Sequence, residues 1–314
     1  MRGIAALGVI IGHTLYTKLP VINGAFWVWV FFILSGYLQG HSFFESRYPF
    51  DKKGFRRFYV NRALRIIPLF WLILISGYLL RSFFGQSIAP FHFFKELLAL
   101  TSNIETVGPL WSISAEIKFY IAAPILCFFL TKVPTKRNQV LVTLMISFLF
   151  TVSAYKFAVF NGDNPAQPRS FLGNSSFFVF GILLSWLKPY LSSKPLAHSL
   201  KYGTIIMFIL LTTIINNYFE AFFWKLGGIL ISFAIVTLLL SIKTESSINI
   251  FERSLNSLGK YCYGIYVYSS LIAVAYQGYG IKPGWTAFLV QLTSIPMAII
   301  SFKIFEKPLL RFKL

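Results

Sequence analysis

Arg2 and His13 stand eleven residues apart in a run that is otherwise apolar, opening Met1-Arg2-Gly3-Ile4-Ala5-Ala6-Leu7. On an α-helix eleven residues rise about 16 Å and turn through just over three full turns, so guanidinium and imidazole share one face. If Arg2 sits at a membrane surface, His13 lies near the middle of a hydrocarbon layer about 30 Å thick. A group that gains and loses protons is costly there unless it faces protein or water. A histidine so placed is a candidate catalytic base. The plainer alternative is a core histidine that hydrogen-bonds neighbouring helices.

The elements that must position these groups are membrane helices. Hydrophobic residues make up 56% of the 314 and charged residues only 12%, with apolar runs recurring along the whole length, which is the composition of a polytopic membrane protein. Near-continuous apolar windows predict an all-α bundle of about ten spans, at 3–20, 22–44, 64–83, 110–131, 139–160, 171–187, 202–219, 223–242, 260–277 and 285–305. Residues 1–314 read as one transmembrane domain with no appended soluble domain and no cleaved signal peptide. The net charge of +19 does not point to nucleic acid, because the cations gather in short loops between apolar runs. Cytoplasmic N and C termini put Arg47, Lys52, Lys53, Arg56, Arg57, Arg62, Arg65, Lys132, Lys136, Arg137, Lys188, Lys194, Lys201, Lys243, Arg253, Lys260, Lys307, Arg311 and Lys313 on the inner side. The outer side receives only Lys18, Arg81, Lys95, Arg169, Lys225 and Lys282. Cys127 and Cys262 fall in apolar segments, read as buried small side chains, and indicate no disulfide or metal site.

Two predicted loops exceed a turn. The inner one, Glu45 to Arg65, carries seven basic residues and reads most simply as a lipid-facing basic loop. The outer one, Phe84 to Pro109, contains Phe91-His92-Phe93-Phe94-Lys95-Glu96-Leu97-Leu98, too short to span and expected as an interfacial helix with His92 at its surface.

Several stretches coincide with one pattern: Arg2-Gly3 followed by His13, Phe32-Ile33-Leu34-Ser35-Gly36-Tyr37-Leu38, Arg62-Ala63-Leu64-Arg65-Ile66-Ile67-Pro68, Leu110-Trp111-Ser112-Ile113-Ser114-Ala115-Glu116 with Phe119-Tyr120, and Glu306-Lys307-Pro308. Together, from residue 2 to residue 308, they resemble the acyltransferase-3 family of integral membrane O-acyltransferases. The resemblance implies transfer of an acyl group, usually acetyl from acetyl-CoA, onto a hydroxyl of a surface or secreted glycan, in a multi-pass protein of a bacterial inner membrane. It implies acyl-CoA as co-substrate with no tightly bound cofactor or metal, a carbohydrate or lipid-linked glycan as acceptor, the lipid bilayer as surroundings, and no nucleic acid.

The residue chemistry is consistent with that implication. Acyl transfer to an alcohol needs a base for the hydroxyl proton, a seat for the thioester carrier and donors for the developing oxyanion. His13 is the expected base, because imidazole titrates nearest neutral pH. Arg2 can bind a phosphate or support the donor thioester. Arg62 and Arg65 lie on one side of a helical turn, where they can grip the phosphates of coenzyme A or simply flank a span. Ser112, Glu116 and Tyr120 are four apart and share a face. Glu116 lies too deep in its apolar run for a carboxylate without a function or partner, so it is expected to bond a sugar hydroxyl or the imidazolium of His13. Trp111 can stack on a sugar ring or anchor its span at the interface.

The chain departs from the family pattern in two places. An Asp commonly stands just upstream of the Arg-Gly pair, whereas Met1 precedes it here. In the ninth span Cys262-Tyr263-Gly264-Ile265-Tyr266-Val267-Tyr268 puts Tyr268 where the family often has a histidine. A rival from another class is a transporter of a lipid-linked sugar or anion, with Arg2, His13 and Glu116 as a relay.

Overall fold

A computed structural model describes residues 2–14, 24–160, 169, 171–191, 250–282 and 284–314. Among these residues the regular structure is entirely helical: α1 (Arg2–Thr14), α2 (Gly24–Phe44), α3 (Lys52–Phe83), α4 (Pro90–Leu97), α5 (Trp111–Lys132), α6 (Lys136–Phe160), α7 (Phe171–Leu191), α8 (Ile250–Gly278), α9 (Trp285–Leu292) and α10 (Ser294–Ser301). A π-turn at Phe302–Glu306 and short turns at Lys307–Leu309 and Leu310–Phe312 follow. The predicted spans at 202–219 and 223–242 lie outside the described residues. Three stretches, Lys52–Phe83, Gly108–Lys132 and Trp285–Phe312, are long and apolar enough to cross a membrane. The described residues are thus those of an all-α protein with helices of membrane-crossing length.

Between helices in lipid the hydrophobic effect offers little drive, so close packing and polar contacts must hold the bundle. The α2–α7 pair illustrates the first. A methyl group at Gly36 would overlap the Phe178 carbonyl, and one at Gly181 would overlap the Ile33 carbonyl, so the two backbones touch only because both positions are glycine. Phe178 then lies between Phe119, stacked at 4.1 Å, and Phe32, at 4.5 Å, which ties α5 to the same seam. α1 packs on α8, with Gly3 N 3.6 Å from where a side chain on Gly259 would begin. Ala6 and Ile10 share a buried cluster with Cys262, Ile265 and Ala298 further along.

Two expectations are corrected. The stretch Glu45 to Arg65 is not a long loop, since α3 already begins at Lys52, where Asp51 Oδ1 accepts a hydrogen bond from Gly54 N at 2.6 Å and caps the helix. Phe58 then buries itself against Phe43 and Tyr48, at 5.0 and 5.4 Å. At 32 residues α3 is about 48 Å long, so its first turns stand clear of a hydrocarbon layer of about 30 Å. The stretch Trp285–Phe312 keeps the length and apolarity of the span read at 285–305 and lacks helical hydrogen bonding only at Thr293, because Pro296 has no N–H for the carbonyl of Leu292. His92 is not a bare surface histidine: its Nε2 lies 3.0 Å from Asn103 O and 3.3 Å from Glu96 Oε1.

That last contact belongs to a latch that fixes where α5 begins. Glu96, fully buried at the end of α4, accepts hydrogen bonds from Glu105 N at 2.5 Å and from the Thr106 hydroxyl. Arg81 of α3 donates to Thr106 O at 2.7 Å, and Ser114 of α5 donates to Ala99 O and Thr101 O at 3.1 and 2.8 Å. The loop before Trp111 is thus held from three helices.

Candidate active site

Four helices meet around one cavity of about 70 Å³. α2 contributes Phe32 and Ser35, α3 contributes Arg62 and Arg65, α5 contributes Ser112, Glu116 and Tyr120, and α8 contributes Tyr263 and Tyr266. The helical spacing of 112, 116 and 120 puts those three side chains on the cavity side of α5.

Glu116 has the partners its depth requires. Its Oε1 accepts from Ser35 Oγ at 2.5 Å and from the Tyr120 hydroxyl. Two donors on one oxygen hold the carboxylate toward the cavity and leave the second oxygen for another group. The Tyr120 ring lies 5.3 Å from the Arg62 guanidinium, which is also 5.6 Å from the Phe58 ring. Arg62 Nε is buried and meets no acceptor among the described residues. Opposite, Tyr266 OH donates to Pro109 O at 2.5 Å, so the Ser112 hydroxyl, 2.7 Å away, donates to the Tyr266 oxygen. Tyr263 OH donates to Ile66 O at 2.8 Å, fastening α8 to α3 beside Arg65.

Arg62 and Arg65 also line a second cavity of about 240 Å³, with Ser42, Arg47, Asn61 and Lys313. Among the described residues four cations and no carboxylate line this space. Asn61 positions the last of them: its Nδ2 donates to Leu314 O at 3.1 Å and its Oδ1 accepts from Leu314 N at 3.0 Å, which sets Lys313 beside the arginines. Burial, then Arg65, Arg62 and Arg47 in turn, push the Lys313 ammonium below the ordinary lysine range. A multiply charged anion would relieve that crowding.

The structure therefore gathers Arg62, Arg65, Ser112, Glu116 and Tyr120 around one space. Trp111 stands edge-on to Phe32 at 6.1 Å, outside the cavity wall. The side chains of Arg2 and His13 lie outside the described residues, so their expected meeting with Glu116 is not placed; their backbones belong to α1, whose first turn lies beside Gly259. Arg65 Nη2, 3.5 Å from Lys260 O, lies near the same level. Tyr268 packs partly buried against the core.

Sequence reasoning missed Ser35, Arg47, Asn61, Tyr263, Tyr266 and Lys313 as site residues. Ser35, Tyr263 and Tyr266 lie inside stretches already singled out, where a polar group among apolar neighbours was the available signal. Nothing in the sequence joins Lys313 to Arg47, 266 positions apart by subtraction of their numbers.

Comparison with known proteins adds a further line. The chain is 25% identical to YrhL of Bacillus subtilis over 98% of its length and 54% of that protein. It is 24% identical to the O-acetyltransferase OatA of Staphylococcus aureus, covering 98% of this chain and 56% of that one. With the peptidoglycan O-acetyltransferase OatA of Listeria monocytogenes the identity is 22%, over 98% and 54% respectively. The chain thus spans about half the length of the curated relatives it matches. No solved structure matches it significantly. These relatives lend nothing to the transporter reading. The acyltransferase domain pattern covers residues 1–303, which with the helices and gathered polar residues above makes this chain a member of the acyltransferase-3 family.

Proposed function

We propose that this chain is a multi-pass inner-membrane O-acetyltransferase that draws an acetyl group from cytoplasmic acyl-CoA and delivers it to a hydroxyl of a cell-wall or other surface glycan. The observation that carries the reading is that Arg62 and Arg65 line both the cationic basin and the chamber containing Glu116. The basin suits the phosphates of coenzyme A, and the chamber suits a small acyl group carried past them. The names of the relatives favour a peptidoglycan acceptor.

In this mechanism His13 takes the proton of the acceptor hydroxyl as its oxygen attacks the thioester carbonyl carbon. The C–O bond forms, the C–S bond breaks, and the thiolate leaves with a proton as free coenzyme A. Glu116, held by Ser35 and Tyr120, steadies the imidazolium or the attacking hydroxyl with its free oxygen. Arg2 supports the donor. Ser112, Tyr120 and Trp111 border the acceptor's path. Acyl-CoA is a co-substrate, and the chemistry needs no resident cofactor.

The test is coenzyme A release from acetyl-CoA by the purified full chain in nanodiscs, with and without peptidoglycan fragments. Arg62→Ala with Arg65→Ala removes two charge-assisted phosphate contacts and should raise the apparent KM for acetyl-CoA about tenfold to a thousandfold. An unchanged KM returns both arginines to a flanking role and removes the support for this donor.

A further inference from the structure

With the donor's phosphates among Arg47, Arg62, Arg65 and Lys313, its adenine base must lie close to that basin. A third cavity, of about 670 Å³, adjoins it and shares Tyr48 as a wall. The lining is rich in rings: Tyr48, Phe50, Trp186, Phe44 and His41. They are held in place by one another. Phe50 stacks on Phe43 at 5.2 Å, Trp186 meets Phe44 edge-on at 4.5 Å, and His41 stacks on Tyr37 at 5.7 Å while its Nδ1 faces Glu45 Oε1 at 3.3 Å. Trp186 Nε1 is buried and has no acceptor among the described residues. An N–H withdrawn from water without a partner is destabilising, so this one calls for a ligand atom that accepts.

Flat aromatic walls, one unsatisfied donor and an adjoining cluster of cations together describe a receptor for a planar heteroaromatic ring joined to phosphates. A lipid chain would leave Trp186 Nε1 without an acceptor. We propose that this cavity seats the adenine base of the coenzyme A thioester, with a ring nitrogen accepting from Trp186 and the phosphates in the neighbouring basin. The proposal rests on acyl-CoA being the donor.

Acetyl-4′-phosphopantetheine carries the same thioester but lacks the adenosine and two of the three phosphates, so the preference for acetyl-CoA over it, as a ratio of kcat/KM values, reads base and phosphates together; the change in that ratio when Trp186 or His41 is replaced, with the basin's cations intact, reads the base subsite. Both donors are measured on one preparation of full chain in nanodiscs, which cancels any loss of folded protein. Trp186→Leu should reduce the ratio about tenfold to a hundredfold, the scale of one base stacked on an aromatic side chain. His41→Ala, which removes one of the lining rings, should reduce it by a smaller factor. Adenosine 3′,5′-bisphosphate should compete with acetyl-CoA in wild type and more weakly in Trp186→Leu. A ratio unmoved in both variants, with no such competition, overturns the proposal and leaves the cavity to lipid. If wild-type protein consumes no acetyl-CoA at all, the donor reading itself fails, and this inference falls with it.

Discussion

Glu116→Gln separates a carboxylate that does chemistry from one that merely holds helices together. In the structure Glu116 Oε1 receives hydrogen bonds from Ser35 at 2.5 Å and from Tyr120. Hydrogen bonds to a charged group contribute about 1.5–3 kcal/mol each and neutral ones about 0.5–1.5, so neutralising the acceptor weakens two contacts by about 2 kcal/mol in all. Removing a charge from a membrane-depth site offsets part of that loss. The melting temperature should therefore fall by only a few degrees. Turnover should fall much further. If the carboxylate steadies an imidazolium or the attacking hydroxyl, the amide can still bind a hydroxyl but cannot stabilise a cation, and kcat should drop about tenfold to a thousandfold. The assay is coenzyme A release and thermal melting on one preparation, with Ser35→Ala and the double variant beside it. In that cycle the two substitutions should be non-additive in melting by about 1 kcal/mol, since they break the same bond. Glu116→Gln protein that melts normally and keeps activity within about twofold of wild type would refute the reasoning and leave Glu116 a helix fastener.

His13→Gln should insert and melt like wild type yet lose about a hundredfold to ten-thousandfold in turnover, more than Glu116→Gln, because an amide cannot act as a base; well-folded active protein would remove His13 from the mechanism. Cysteines placed at Arg47 and Lys313 should react only with membrane-permeant thiol reagents and one at Glu105 with impermeant reagents in intact cells, if the donor is cytoplasmic acyl-CoA as proposed; the reverse pattern would sink the donor assignment. Glu96→Ala should expose residues 99–107 to hydrogen exchange and lower stability by about 2–4 kcal/mol, as three donors lose one buried acceptor; unchanged exchange would show that Arg81 and Ser114 hold the loop alone. Gly36→Val should abolish folded protein in detergent, because the α2–α7 approach leaves no room for a side chain, and normal melting would contradict that contact.

Much of the helical order was legible because near-continuous apolar runs state a membrane helix almost without ambiguity. Their ends were less so. Hydropathy stops where lipid stops, at about residue 64, but hydrogen bonding continues α3 back to its Asp51 cap, and the sequence reading mistook twelve helical residues for loop. Pro296 was visible in the tenth span, yet its effect depended on how the freed carbonyl was accommodated. Within the site, Ser112, Glu116 and Tyr120 could be grouped because a four-residue spacing fixes a shared face. Ser35 with Glu116 and Lys313 with Arg62 could not, because those pairs are made by packing between distant elements, for which one sequence carries no signal.

Arg62 and Arg65 form a wall common to the buried chamber and the basin beside it. An enzyme that takes its donor on one face of a membrane and its acceptor on the other must join the two faces through its interior without short-circuiting the ion gradients stored across that membrane. Any proton or sodium ion moving between these spaces would pass two guanidinium groups, each repelling it by about 4 kcal/mol at 4 Å and an effective dielectric of 20. Rings of arginine serve the same purpose in pores that must exclude cations. The pair proposed to grip an anionic substrate is thereby also an electrical seal, and neutralising both should make cells carrying the protein leak protons as well as lose acetylation.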